Sequence, residues 1–289
     1  MSRFHPSFSW QFPNSNKASH GGNQDENHGH PHALSDVDDE ACRSGGSEND
    51  FFAASPLASV ASPQTFFVPV HYEPNYRYPL IVWLHSDGFN ENQIDHVMPH
   101  VSTRNYLATG VRGTRAADSV GHRFDWHQSS TAIDAAHDKV LCAIDETCDR
   151  YSVHRDRIVL AGYRSGGTMA MRIAMRQPGL VAAVASLGGP MPRGGKVLSN
   201  LSSLRQRRLP MLWQVATAAA GFDSHSLKTD IQSAMLVRAK VEIRQYADDD
   251  EMNTAALSDL NHWIMSRVVN REPPSTEQWQ SSPACFSSN

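Results

Sequence analysis

The stretch Arg157–Met175, RIVLAGYRSGGTMAMRIAM, does most to limit what this chain can fold into. An apolar run breaks at the Gly162–Tyr163 pair and resumes after Gly166 and Gly167 as a helical pattern of small residues. A short apolar run of this kind reads as a buried strand that feeds a helix through a tight turn. The arrangement recurs: YLATGVRG, RIVLAGY, VAAVASLGG, PMLWQVAT and VEIRQY are separated by segments long enough for crossover helices. The expected class is therefore α/β, with a mostly parallel central sheet and helices on both faces. Ahead of these runs, TFFVPVHY and YPLIVWLH are parted by the turn-forming EPNYR, which predicts an antiparallel pair at the start of the domain. The clearest helix carries Ile133, Ala136, Val140, Ile144, Cys148 and Tyr151 at intervals of three and four, with Ser130 as its predicted cap. A closing helix, NTAALSDLNHWIMSRVV, puts Leu257, Leu260, Ile264 and Val268 on one face.

The 289 residues, 40% apolar and 19% charged, suffice for one substantial core with chain to spare. Residues 1–63 hold few aliphatic side chains until Leu57 and are expected to be a disordered tail rich in His, Ser and Asn. The folded domain is expected over 64–269, and a second disordered tail over 270–289. Within the first tail, His28, His30 and His32 stand at alternate positions, which reads as a polar tract before it reads as a metal site. His96 and His100 have metal-compatible helical spacing, but Pro99 lies between them and they read as solvent-facing. Neither a cofactor nor a metal is expected. A net charge of −4 gives no global field for nucleic acid or an anionic membrane, and the basic run Leu204–Arg208 reads as a solvated loop. No stretch approaches the roughly 18 apolar residues of a membrane span. The four cysteines show no C-x-x-C spacing and read as free thiols, so a cytoplasmic location is expected.

In sheets of this class ligands bind beyond the carboxyl ends of the strands, which directs attention to four loops. They are His85–Gly88, the connection ending GHRFDWHQSS, the turn between Gly162 and Gly166, and ADDDEMN after the last run. The two glycines frame a nucleophile elbow, G-x-S-x-G, but its centre is Arg164 and the only hydroxyl, Ser165, stands one place late. An elbow re-centred on Ser165 would need a small residue at Tyr163, so that register is disfavoured. His85, at the end of a buried strand, reads as a structural hydrogen-bonding residue. Trp126 and His127 are candidates for a pocket wall.

The order of these parts resembles the α/β-hydrolase superfamily, and its phospholipase/carboxylesterase group in particular. YPLIVWLHSDGFNENQI is similar to that group's strand and oxyanion loop, YSVHRDRIVLAGYRSGGTMAMRIA to its elbow, and QYADDDEMNTAALSDLNHWIM to its catalytic-histidine loop and closing helix. The resemblance runs from Phe66 to Val269. It implies a nucleophile at Arg164, a histidine at Asp250, and an acid within ATAAAGFD, where alanines stand and Asp223 comes late. Ser86 and Asp87 would form the oxyanion loop, although a carboxylate there opposes a developing negative charge. The implied reading is a pseudo-esterase: a non-catalytic binding or scaffold module with a small anionic or acyl ligand at Arg164, Ser165, Gly166, Trp126 and His127. No nucleic-acid partner is expected. The alternative is an active carboxylic-ester or acyl hydrolase using Ser165, with Asp223 and His262 as the other triad members. If Arg and Asp have replaced Ser and His, Arg164 should pair with one of Asp248, Asp249 or Asp250, above all Asp250.

Overall fold

The computed structural model describes residues 63–270 except 195, 196, 198, 220, 221, 237 and 239. Apart from one residue at each junction, the expected tails lie outside the described residues, as does the tract from His28 to His32. In chain order the strands are β1 (Gln64–Phe67), β2 (Tyr78–Leu84), β3 (Leu107–Val111), β4 (Arg115–Ala116), β5 (Phe124–Asp125), β6 (Val153–Tyr163), β7 (Ala183–Leu187), β8 (Pro210–Ala216) and β9 (Lys240–Tyr246). The helices are α1 (Gln93–Val101), α2 (Ser130–Arg150), α3 (Ser165–Arg176), α4 (Leu201–Arg207), α5 (Ser224–Leu236) and α6 (Thr254–Ile264). The last of these continues as a π-helical turn over Met265–Val269. Seven strands form one sheet in the order β1-β3-β2-β6-β7-β8-β9, and β4 and β5 pair separately.

The central strands are apolar without interruption because both of their faces are covered. Leu80, Val82 and Leu84 of β2 enter the core beneath α2 and α3, while Ile81 and Trp83 enter the core beneath α1 and α6. The same alternation divides β6, with Ile158 and Leu160 on the first side and Val159, Ala161 and Tyr163 on the second. Leu257, Leu260, Ile264 and Val268 are all buried, as the helical spacing predicts. No helix among the described residues is long and apolar enough to cross a membrane.

Three local expectations are corrected. The basic run Leu204–Arg208 is not a solvated loop: Leu204–Arg207 end α4, Leu204 is buried in the core, and Arg208 caps the helix in the left-handed region. The opening antiparallel pair is between β1 and β3, not between β1 and β2. Strand β2 lies between β3 and β6, parallel to both, so neither of its edges is open to β1. The cap of α2 is Ser129, whose side chain accepts from the Ala132 N–H, and Ser130 is the first helical residue.

Candidate active-site cleft

The turn between β6 and α3 has elbow geometry centred on Arg164. Its φ of 48° and ψ of −115° lie in a region that residues with a Cβ seldom enter. Two backbone bonds hold it there: Arg164 N–H donates to Leu187 O at 2.7 Å, and Thr168 N–H donates to Arg164 O at 3.0 Å. The flanking glycines are required by close approach. A Cβ on Gly166 would overlap the carbonyl oxygens of Leu84 and His85, and one on Gly162 would overlap the backbone of Gly166. Ser165 opens α3, so the register centred on Arg164 is the one the backbone adopts.

From across the gap, the loop after β9 presents Glu251 to this elbow. Arg164 Nε lies 3.5 Å from Glu251 Oε2, and the guanidinium also covers the Tyr163 ring at 4.9 Å. The expected Arg–acid contact is therefore made one residue later than Asp250. Asp250 turns inward, where its Oδ1 accepts from the Tyr163 hydroxyl at 2.8 Å and the Met252 N–H at 2.9 Å. Asp248 is tied to the side chain of Asn253, which caps α6 through the Ala256 N–H. These bonds make the acidic loop a folded structure, and they explain why its carboxylates do not all face solvent.

The loop after β2 is fixed by its own bonds. His85 Nε2 accepts from the Gly113 N–H at 2.9 Å, so Nδ1 carries the proton that it donates to Ser86 O at 2.7 Å. Burial holds the His85 pKa below its ordinary value against the opposing pull of that bond and of nearby carboxylates. Trp126 is buried, and its indole N–H donates to His85 O at 2.7 Å. Asp87 accepts from the Trp126 N–H, and the Gly88 N–H already donates to Phe124 O and Asp125 Oδ1. Glu91, itself buried, anchors this region through Arg112, whose Nε donates to its Oε2 at 2.8 Å.

A cleft of about 830 Å³ opens beside the elbow between α3 and α5. Arg164 and Ser165 line it. Gly166, Trp126, His127, Ser86 and Asp87 do not, and Gln128 represents the loop before α2. Asp223 reaches the cleft but accepts from the backbone N–H groups of His225 and Ser226 at the start of α5. His262 is exposed on α6 and is not a lining residue, so the Ser165, Asp223, His262 triad is not assembled around this cleft. After β8, where the resemblance implies an acid, the chain turns through Thr217, Ala218 and Ala219. Among the described residues no cluster of three or more His, Cys, Asp or Glu side chains could hold a metal ion.

Sequence reasoning passed over several lining residues. Glu251 was obscured by the three aspartates before it. Asp230, on α5 and only 2% exposed, accepts from Arg193 Nη2 at 2.7 Å and the Met191 N–H at 3.1 Å. Arg172 had one detectable signal, a charge within the otherwise uncharged run TMAMRIAM. Trp213 lines the cleft from β8 and had none beyond its place in an apolar strand.

No protein-family model matches the chain, and no curated protein matches it in sequence. Solved structures share its fold. A Bacillus cereus carboxylesterase superposes with a TM-score of 0.58 at 16% identity, covering 71% of this chain and 94% of its own. A Mesorhizobium loti carboxylesterase gives 0.57 at 15% identity, covering 73% and 97%. A fluorophosphonate-binding serine hydrolase of Staphylococcus aureus, FphF, gives 0.52 at 12% identity, covering 70% and 92%. The chain thus has the α/β-hydrolase fold that these structures share.

Proposed function

We propose that this α/β-hydrolase-fold protein is a pseudo-esterase, a binding or scaffold module that retains the cleft of the carboxylesterases without their chemistry. The observation that carries the reading is the Arg164–Glu251 contact at the elbow. Acyl transfer there requires a nucleophile whose proton is taken by an adjacent base, itself oriented by a third group. A guanidinium stays protonated and offers no nucleophile. Its carboxylate neighbour cannot take the role of an imidazole that both accepts and returns a proton. Among the described residues no histidine lines the cleft, and the turn after β8 supplies alanines. The Ser165 hydroxyl is buried without a hydrogen-bond partner, which supports the view that it lacks the base an alternative hydrolase would need.

The test is activity. The purified protein is expected to leave short p-nitrophenyl esters unhydrolysed and to resist labelling by a fluorophosphonate probe. Turnover that disappears in Ser165→Ala would overturn the proposal in favour of an active hydrolase.

A further inference from the structure

The cleft contains hydrogen-bond donors for which the described residues supply no acceptor. Arg172 is 6% exposed and lies one face of α3 along from Ser165 and Thr168. One of its Nη atoms donates to Arg193 O at 3.0 Å, but its Nε–H is buried and unpartnered. No carboxylate is paired with it among the described residues. Of the other charges at the cleft, Arg164 lies 3.5 Å from Glu251 Oε2, which makes no hydrogen bond among the described residues, Arg193 pairs with Asp230, and Asp223 receives N–H groups at the start of α5. Two further donors in the same lining, the Trp213 indole N–H and the Ser165 hydroxyl, are likewise buried without a partner. Buried donors in native proteins are ordinarily satisfied, and a buried cation without a counter-charge is costly.

We propose that the cleft binds a carboxylate with an apolar body, its head group held by Arg172 and its body lying over Met191, Trp213 and Val215. The assignment rests on reading the cleft as a binding site, and it shifts the anion from Arg164 at the mouth to Arg172 within. A planar carboxylate matches a guanidinium edge and can accept the Nε–H. Of the arginines in the described lining, Arg172 alone has no carboxylate partner, and one guanidinium flanked by apolar side chains favours a monoanion over strongly hydrated phosphate. Ser165 and Arg172 are separated by about 10 Å of helix rise, a distance reduced by the tilt of side chains toward the helix start. One carboxylate cannot therefore satisfy both, and the Ser165 hydroxyl is left to a second oxygen or to water near the mouth. The lowered pKa of Arg172, caused by burial, marks the same missing counter-charge.

Octanoate, octan-1-ol and inorganic phosphate, titrated into the full-length protein by calorimetry, test the assignment. Octanoate should bind saturably and more tightly than octanol. Its affinity should fall about tenfold or more in Arg172→Gln, as expected for a lost charge-assisted bond, and recover in part in Arg172→Lys. Arg176→Ala, on the same helix but outside the cleft lining, should bind as the wild type does. The inference fails if octanol binds as well as octanoate, if phosphate binds and octanoate does not, or if nothing binds. Dependence on Arg164 with indifference to Arg172→Gln also overturns it, yet leaves the pseudo-esterase reading intact. Ester turnover would remove that reading without altering the binding result. Should Arg172→Gln not fold, Arg172→Lys carries the test: it should bind octanoate more weakly than the wild type and octanol equally, and unchanged octanoate affinity in that variant would count against the site.

Discussion

Arg164 and Glu251 are a pair with unequal access to water. The arginine side chain is 45% exposed, whereas that of the glutamate is 10% exposed. Deleting the arginine strands a buried carboxylate; deleting the glutamate leaves a guanidinium that water can solvate. Arg164→Ala should accordingly cost about 1–3 kcal/mol, in the range for a buried polar group that loses its partner. Glu251→Gln should cost under about 1 kcal/mol, as for a partly exposed ion pair. The double variant should be no less stable than Arg164→Ala alone, a coupling that urea denaturation of the four proteins would measure. Additive losses would show that the contact has no energetic role.

Among the elements, the β6–turn–α3 unit sets the position of everything at the cleft. Its backbone departs from regular geometry at Arg164, and the two flanking glycines let the strand, the helix and the end of β2 approach one another. Gly166→Ala would drive a methyl group into two carbonyl oxygens of β2 and the following loop, with no flexible side chain able to move aside. The expected loss exceeds about 3 kcal/mol, the scale of severe overpacking in a core. Thermal unfolding would reveal a melting temperature lowered well beyond that of a surface Gly→Ala control. This demand is legible in the sequence as the Gly162–Gly166 spacing. The identity of the side chain presented at the turn is a separate matter, since the backbone frame holds an arginine as it would a serine.

For the whole molecule, two buried groups that titrate differently when folded contribute to the pH dependence of stability on the acid side. Burial lowers the folded pKa of His85 from 6.5, so the unfolded chain binds the proton more readily. Stability conferred by neutral His85 is complete above that value and is lost as pH falls below it. Glu91 is pushed upward by burial, but the hydrogen bond from Arg112, a backbone hydrogen bond and the Arg112 charge together outweigh this, and its folded pKa lies below 4.5. Its contribution is complete above 4.5 and declines as pH drops further. Denaturation free energy should therefore fall in two stages on acidification. His85→Gln should remove the first stage, near pH 6.5, and retain the second. A wild-type profile flat between pH 8 and pH 5 would contradict the buried, neutral histidine.

The sequence by itself determined the order and kind of the elements, because burial of alternate side chains in strands and of every third or fourth in helices leaves a local periodic record. It also determined the elbow, since two glycines four apart state where backbones must pass closely. Tertiary structure decided what that record does not contain. Strand β1 pairs with β3 because the parallel crossovers enclose β2 on both edges, a consequence of sheet order that no turn signal near EPNYR conveys. Glu251, not Asp250, faces Arg164 because Asp250 is drawn inward by the Tyr163 hydroxyl, 87 residues away along the chain. The uncompensated charge of Arg172 arises in the same way. Its partners and their absence are properties of the space enclosed by α3, β8 and α5, and only folding brings those elements together.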